Sequence, residues 1–192
     1  MTWNNDQVSR LETEKIIEIA RECLKLPGDF VEMGCYKGDT SLLLADVLVG
    51  QENKKLWIYD SFEGLPEKRT EDESLLGIDF KKGELGVTKR EVKERFLRAG
   101  LKLPVIKKAW FSDLSDDDLP ERISFAFLDG DFYESIKDSL KLVGERMCSG
   151  GIMMVHDYKN DKLPGVKKAT DEWMSGKNLK TETFESIYII YM

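Results

Sequence analysis

The stretch DFVEMGCYKGDT, residues 29–40, decides the fold. Its first five residues are predicted to form a short extended strand, and a helical pattern follows over residues 40–49. Gly34 and Gly38 allow the turn between them to pass close to a ligand or to another part of the backbone. Asp39 is the predicted N-cap of the helix. This strand–turn–helix unit is typical of a sheet with helices packed against it.

Apolar runs alternate with helical patterns along the rest of the chain. We predict further strands at residues 56–59, 105–106, 123–128 and 152–155, and helices at residues 11–26, 90–99, 132–147 and 165–174. Strands that are apolar from end to end and alternate with helices are typical of a parallel sheet covered on both faces. Residues 181–184 and 186–191 are separated by a short turn and predict an antiparallel hairpin. We therefore expect an α/β, Rossmann-like three-layer sandwich with a mostly parallel seven-stranded sheet.

Length and composition fit a single domain, residues 1–192. The chain is 41% hydrophobic and 34% charged, which allows a substantial core and a well-solvated surface. The net charge of −7 argues against nucleic acid as the main partner, because neutralising phosphates needs an excess of Lys and Arg. No apolar run approaches the roughly 20 residues needed to cross a bilayer, so no membrane association is expected.

The cysteines and the N-terminus indicate a cytoplasmic protein. Cys23, Cys35 and Cys148 have no CxxC spacing, and we expect three reduced thiols rather than disulfides or a zinc site. Residues 1–6 lack the basic and then apolar pattern of a signal peptide.

Two segments lie outside the alternating pattern. Residues 1–26 form a predicted N-terminal helical segment. Residues 63–89 are polar, contain glycine and show no periodicity. A connection of that length is typical of a functional loop, so we predict a lid or acceptor loop. An ordinary disordered insertion is the alternative.

Acidic residues lie at the ends of four predicted strands. Glu32 is near the end of the first strand, Asp60 closes the second, Asp129 and Asp131 follow the fourth, and Asp157 follows the fifth. Ligands of an open α/β sheet bind beyond the carboxyl ends of its strands. Acids that converge there are costly unless they bind a group that is cationic or rich in hydrogen-bond donors.

The first turn suits S-adenosylmethionine (SAM) better than a dinucleotide. Its spacing is G-x-x-x-G rather than G-x-G-x-x-G, and Glu32 precedes it. SAM carries an ammonium group and a sulfonium but no phosphate. Asp60 could accept hydrogen bonds from the ribose hydroxyls of either cofactor. The structural alternatives are a packing role for the glycines and a capping role for Asp60.

Asp129 and Asp157 are predicted to lie about one strand spacing apart, ~5 Å, at the same rim. Paired carboxylates at that separation suit a hard cation such as Mg²⁺. Without a cation, one of them would have a raised pKa and could act as a base. Asp131 precedes a predicted helix, so an N-cap role is the alternative for this residue.

Four strings of the sequence occur in an order that resembles a known family. They are VEMGCYKG (residues 31–38), DSFEGLP (60–66), LDGDFYES (128–135) and GG…DY…PGVKKA…DE (150–172). From about residue 27 to the C-terminus, the chain resembles the macrocin O-methyltransferase (TylF) family of class I SAM-dependent methyltransferases. The second and third strings are specific to that family.

The resemblance implies SAM-dependent methylation of a hydroxyl on a sugar or another small-molecule natural product. It also implies a divalent metal, usually Mg²⁺, and a homodimer or larger homo-oligomer. Asp129 and Asp157 would be metal ligands, and Asp131 would be a general base. The SAM site would comprise Glu32, Gly34, Tyr36, Gly38, Ser41, Asp60, Ser61, Phe62, Gly64 and Asp129.

The chain departs from the family at His156, where two adjacent acids are usual. The imidazole could ligate the metal, although it suits Zn, Fe or Ni better than Mg. It could instead take a proton from the acceptor, or support the other ligands. A histidine satisfied by its neighbours is the purely structural alternative. About 26 residues precede the first strand, fewer than family members often have, so we expect a different or more open acceptor pocket.

The expected mechanism is in-line transfer of the methyl group from SAM to a metal-chelated hydroxyl. Asp131 or His156 would take the proton. Trp110 and Phe111 are predicted either to flank the adenine or acceptor, or to belong to the core. Two other functions compete: a nicotinamide-dependent oxidoreductase, which the missing G-x-G-x-x-G disfavours, and a non-catalytic SAM-binding protein, which the substitution at His156 makes conceivable.

Overall fold

The computed structural model describes residues 7–77 and 80–192, which form a seven-stranded sheet. The strands are β1 (Asp29–Met33), β2 (Leu56–Asp60), β3 (Val105–Lys108), β4 (Ile123–Leu128), β5 (Met147–Val155), β6 (Lys180–Phe184) and β7 (Ile187–Tyr191). Their order is β3-β2-β1-β4-β5-β7-β6. Strands β1 to β5 are parallel, and β7 pairs antiparallel with β5 and β6. The predicted fold is confirmed, including the C-terminal hairpin.

Helices cover both faces of the sheet. They are α1 (Arg10–Glu22), α2 (Asp39–Val47), α3 (Lys89–Ala99), α4 (Tyr133–Gly144) and α5 (Pro164–Met174). Helices α1, α2 and α3 pack against one face with Phe30 and Phe127, and α4 and α5 pack against the other with Val31 and Ala126. Because successive strand residues point to opposite faces and both faces are covered, every side chain of a middle strand is expected to be buried. All of β4 is buried accordingly.

The start of β5 corrects one prediction. The sequence predicts a helix through residue 147 and a strand from residue 152, whereas β5 begins at Met147. Gly150 has φ +79°, and the pairing of β4 with β5 shifts register between Ile123 and Phe125. The glycines therefore form an irregularity inside the strand, which only the pairing with β4 reveals.

The start of α2 corrects a second prediction, that Asp39 is the N-cap of this helix. Gly38, with φ +81° and no side chain to cap with, is the N-cap, and Asp39 is the first helical residue. The carboxylate of Asp39 is ion-paired with Arg95 of α3. Arg95 Nη1 also donates to the carbonyl oxygen of Lys37 (2.6 Å). Helix α3 therefore holds the turn between β1 and α2 in place.

The segment predicted as a lid or acceptor loop, residues 63–89, reaches into the first residue of α3. Before α3, its described residues contain one short 3-10 turn, Thr70–Asp72, and residues 78–79 lie outside the described part. The backbone N–H of Leu65 donates to the carbonyl of Glu84 (2.8 Å), and that of Gly83 donates to the carbonyl of Leu65 (2.9 Å). These bonds close the segment into a loop at its base.

Asp72 anchors the middle of this loop to α4. Its Oδ1 accepts from the backbone N–H of Tyr133 (2.7 Å), and its Oδ2 accepts from that of Arg69 (3.0 Å). Tyr133 begins α4, so its N–H has no partner within the helix. A carboxylate from a distant loop therefore caps α4.

Asp72→Ala is expected to lower the free energy of unfolding by about 1–3 kcal/mol, because it leaves a buried N–H without an acceptor. It should also accelerate proteolysis within residues 63–89 under native conditions. Urea denaturation and timed proteolysis measure the two effects. Glu73→Ala, at an exposed neighbouring position, is the matched control. Equal cleavage rates in the two variants would contradict the anchoring role.

Lys54 is a buried cation at the opposite end of the sheet from the pocket described below. Its Nζ donates to the carbonyl oxygens of Leu26 (2.6 Å) and Gly28 (2.5 Å) and to Ser124 Oγ (3.0 Å). The ammonium also lies 5.6 Å from the centre of the Phe30 ring. These contacts join the loop before β1 to β4.

Lys54→Met is expected to lower the free energy of unfolding by about 2–4 kcal/mol, because the partly buried carbonyl of Leu26 would lose its donor and that of Gly28 would keep only Ser124 Oγ. Chemical denaturation measures this loss. Lys55→Met, on an exposed side chain, should stay within about 0.5 kcal/mol of the parent. A neutral result for Lys54→Met would show that water replaces the ammonium.

The N-terminal segment predicted as helical, residues 1–26, contains α1 and a 3-10 turn, Cys23–Lys25, while residues 1–6 lie outside the described part. The cysteines Cys23, Cys35 and Cys148 are buried free thiols. Across residues 7–77 and 80–192, no helix combines the length and apolar character needed to traverse a bilayer.

Candidate active site

A pocket opens at the carboxyl ends of the parallel strands, where the strand order reverses between β1 and β4. The predicted acids meet there, and Trp110 and Phe111 also line the pocket. The predicted site residues that line it are Glu32, Gly34, Tyr36, Asp60, Ser61, Gly64, Asp129, Asp131, His156 and Asp157. Three other predicted residues, Gly38, Ser41 and Phe62, do not line the pocket and support the turns around it.

The first turn of the site needs glycine at position 34. The backbone N–H of Gly34 donates to the carbonyl of Tyr59 (2.8 Å), and that of Asp129 donates to the carbonyl of Met33 (2.8 Å). Gly34 has φ +89°, and a Cβ there would lie 2.0 Å from the carbonyl oxygen of Asp129. The close approach of β1 and β4 therefore sets the floor of the pocket.

Asp60 ties the two turns after β1 and β2 together. Its Oδ2 accepts from the backbone N–H groups of Cys35 (2.9 Å) and Tyr36 (3.2 Å), and its Oδ1 accepts from that of Phe62 (2.7 Å). An ionised carboxylate has about four acceptor positions. About one of them is left for a ligand hydroxyl in this arrangement.

The turn after Asp60 has its own support. Ser61 Oγ donates to the carbonyl of Gly64 (3.2 Å) and accepts from the backbone N–H of Glu63 (3.1 Å). Gly64 has φ +79°, and a Cβ there would lie 2.4 Å from the carbonyl oxygen of Glu84. This glycine allows the base of the 63–89 loop to press against the pocket.

Glu32 is a buried acid behind the first turn, where Ser41 Oγ donates to its Oε2. Burial raises the pKa of Glu32 to about 8; the hydrogen bond from Ser41 opposes this, and the charges of Asp129 and Asp60 reinforce it. A cationic ligand bound in the pocket would therefore stabilise the ionised form of Glu32.

Glu32→Gln is expected to make folding stability less dependent on pH. In the unfolded chain Glu ionises near pH 4.3, so the folded state holds an extra proton between there and about pH 8. The contribution of Glu32 to stability is therefore present at low pH and is lost as pH rises to about 8. The variant should gain on the parent by up to about 1.4 kcal/mol per pH unit between pH 6 and 8. Denaturation curves test this, with the exposed Glu52→Gln as control; parallel parent and Glu32→Gln profiles would contradict it.

Asp129, Asp157 and His156 form one cluster. Leu128 pairs with Val155, so Asp129 and His156 leave the sheet side by side. His156 Nδ1 lies 3.1 Å from Asp129 Oδ1 and 3.2 Å from Asp157 Oδ2, and one ligand atom from each residue lies within 4.8 Å of the others. An octahedral ion with bonds of about 2.1 Å has neighbouring ligand atoms about 3.0 Å apart. The three side chains are therefore close enough together to be able to hold a small divalent ion.

The surroundings of His156 favour its charged form. Burial opposes protonation, but the charge and hydrogen bond of Asp129, with contacts from Asp157 and Glu12, raise the pKa of His156 well above its usual value. A metal ion bound at Nδ1 would have to displace the proton held there.

Glu12 is a residue that the sequence reasoning missed. It lies on α1, is 5% exposed, and its Oε2 is 3.9 Å from His156 Nε2. Burial alone would raise its pKa, but contacts with His156, Ser186 and Ser9 hold the pKa of Glu12 well below its usual value. The spacing of Ser9 and Glu12 is that of a capping box, which the structure contains, but nothing local in the sequence indicates the contact with His156.

Asp131 is half-buried at the same rim. The N-cap of α4 is Phe132, so the alternative role of Asp131 as a cap is wrong. Burial, together with the charges of Asp129 and Asp157, raises the pKa of Asp131 well above its usual value. Asp131 therefore lines the pocket as a carboxyl group that holds its proton more tightly than usual.

Left-handed backbone at residues other than glycine concentrates around the pocket. Each such residue costs about 1–2 kcal/mol, and strain of this kind is often found at functional sites. Five of the six such residues in the described part of the chain lie around the pocket, and the sixth, Glu185 (φ 49°), lies in the turn between β6 and β7; the five are Tyr36 (φ 46°), Phe62 (53°), Leu85 (60°), Asp131 (60°) and Asp157 (58°).

The strand order, the pocket at the switch point and the antiparallel last pair define the class I methyltransferase fold. The chain belongs to the macrocin O-methyltransferase (TylF) family, whose model matches residues 8–188. The O-methyltransferase NovP has a similar structure, with a TM-score of 0.76, 24% identity, and coverage of 91% of this chain and 78% of that one.

Two named relatives are similar in sequence. An 8-demethyl-8-(2,3-dimethoxy-alpha-L-rhamnosyl)-tetracenomycin-C 4'-O-methyltransferase of Streptomyces olivaceus is 32% identical over 143 residues, 71% of this chain and 55% of the relative. A demethyldecarbamoylnovobiocin O-methyltransferase of Streptomyces niveus is 26% identical over 181 residues, 88% of this chain and 68% of the relative. The chain thus spans about half the length of the first and two thirds of the second.

Proposed function

We propose that this chain is a SAM-dependent, divalent-metal-assisted O-methyltransferase that acts on a hydroxyl of a sugar or another small-molecule natural product. The observation that carries the proposal is the meeting of the acidic first turn, Asp60 and the Asp129–His156–Asp157 cluster in one pocket. Family membership supports methyl transfer, and the names of the two relatives support the acceptor class. The buried, unpaired cysteines favour a cytoplasmic location.

The cofactor would lie over the turns after β1 and β2. Bound there, SAM supplies an activated methyl group. Glu32 would balance its ammonium charge from behind the turn, and Asp60 would accept from a ribose hydroxyl through its remaining position. Trp110 and Phe111, on the same pocket wall, offer apolar surface for the adenine.

The acceptor would lie over the Asp129–His156–Asp157 cluster. Asp129 and Asp157 would hold the divalent ion, Mg²⁺ by resemblance to the family, and such an ion lowers the pKa of a coordinated hydroxyl and orients it. Asp131 would take the proton that leaves this hydroxyl, because its carboxylate faces the same pocket.

Isothermal titration with S-adenosylhomocysteine (SAH), in Mg²⁺ and again in EDTA, tests the cofactor assignment, with NAD as the control ligand. We expect SAH to bind in both buffers and NAD in neither. Binding of NAD without SAH would overturn the proposal in favour of an oxidoreductase. A panel of glycosides with vicinal hydroxyls and of catechols then tests turnover. SAH binding without transfer to any member would indicate a non-catalytic protein.

A further inference from the structure

Glu12 is a buried carboxylate to which the proposed function assigns no task. Its Oε1 accepts from the backbone N–H of Ser186 (3.0 Å) and from the hydroxyl of the same residue. Its Oε2 accepts from the backbone N–H of Ser9 (3.0 Å) and lies 3.9 Å from His156 Nε2, an ion-pair distance. The hydrogen bonds from both serines aim the carboxylate at the imidazole edge that points away from the pocket.

The imidazole of His156 is held from two opposite sides. Nδ1 faces Asp129 and Asp157 at 3.1 and 3.2 Å, and Nε2 faces Glu12. The ring also packs against Phe127, with 5.8 Å between ring centres. A histidine that ligates a metal through one nitrogen generally gives its other N–H to a carboxylate, which sets the tautomer and the ring orientation. Glu12 occupies that second place.

We propose that Glu12 is a positioning residue that holds the Nε2 edge of His156, so that Nδ1 completes a metal site with Asp129 and Asp157. The site would then consist of two carboxylates and one imidazole. Carboxylates alone suit Mg²⁺, whereas imidazole suits transition metals, so this site favours ions such as Mn²⁺ or Co²⁺ over Mg²⁺. The inference rests on the metal site of the proposed function and extends it to the third ligand, the residue behind that ligand, and the metal class.

The chain contains a single histidine, which makes the ligand assignment directly measurable. Pulsed electron paramagnetic resonance on the tag-free protein loaded with Mn²⁺ should show coupling to an imidazole ¹⁴N, and that nitrogen can come only from His156. Competition titrations should give a Kd for Mg²⁺ at least about tenfold weaker than that for Mn²⁺. Bound Mn²⁺ without ¹⁴N coupling, or a preference for Mg²⁺, would overturn the inference.

Glu12→Gln tests the positioning role, because it removes the charge and keeps the shape. We expect the Kd for Mn²⁺ to rise about 10- to 100-fold, while SAH affinity stays that of the parent. Glu22→Gln is the matched control, because it removes the same charge from an exposed position of α1 and leaves Glu12 and His156 untouched; its Kd for Mn²⁺ should stay near that of the parent. An unchanged Kd in Glu12→Gln, or an equal loss in Glu22→Gln, would refute the role.

The experiment separates this inference from the proposed function. Parent protein that binds SAH and Mn²⁺ and transfers methyl groups, yet lacks ¹⁴N coupling, refutes only the inference. Parent protein that fails to bind SAH refutes the proposed cofactor, while ¹⁴N coupling from bound Mn²⁺ would still support the ligand assignment.

Discussion

Gly34→Ala is expected to destabilise the protein by about 3–5 kcal/mol and to weaken SAH binding at least about 100-fold. Gly34 has φ +89°, and a Cβ added there would lie 2.0 Å from the carbonyl oxygen of Asp129. That oxygen is backbone and cannot rotate away, so β1 and β4 would have to separate. Both cofactor turns and the metal cluster depend on the spacing of these two strands. Thermal or chemical denaturation and SAH titration measure the two effects.

Gly50→Ala is the matched control for this substitution. Gly50 has nearly the same backbone conformation, φ +82°, but a Cβ there meets nothing within 4 Å. Its replacement should therefore cost only the left-handed penalty, about 1–2 kcal/mol, and leave SAH affinity unchanged. Equal destabilisation by the two substitutions would mean that backbone strain alone requires Gly34, and the argument from the close approach would be wrong.

Asp129→Asn is expected to lower kcat about 10³-fold, or about 4 kcal/mol of transition-state stabilisation, while SAH affinity stays within about threefold of the parent. The amide keeps the shape of the side chain but removes the charge that faces His156 and Asp157. The variant should also lose Mn²⁺ binding, which can be measured without knowing the acceptor. Initial rates with the best acceptor of the panel, and metal titration, provide the measurements.

Asp117→Asn is the control for Asp129→Asn, because it removes one negative charge from an exposed acid. It should leave rate and metal affinity unchanged. Parent protein that keeps its full rate in EDTA, or an Asp129→Asn variant that keeps it in Mg²⁺, would contradict a metal-dependent role for Asp129.

Most of the sheet could be predicted because its signals are local. Each of these signals is contained in one short stretch of sequence. The apolar runs predict β2 and β4, and the helical periodicity predicts α3. The start of β5 could not be predicted, because residues 149–151 resemble a helix stop, and only the pairing of β4 with Met147 and Ile152 on either side of them makes the segment one strand. The prediction of Asp39 as the N-cap of α2 is wrong, because Gly38 takes that position with left-handed backbone, and the carboxylate of Asp39 pairs with Arg95, a residue distant in the chain.

The sequence by itself determined the fold class, the family and the acids that follow the strands. These acids were expected to meet because the carboxyl ends of parallel strands lie at one edge of the sheet. The tertiary structure decided the rest of the site. It placed His156 beside Asp129, brought Glu12 to the far side of the imidazole, and raised the pKa of Glu32 by burial. These features depend on strand register and on packing between segments far apart in the chain, which no local pattern of residues encodes.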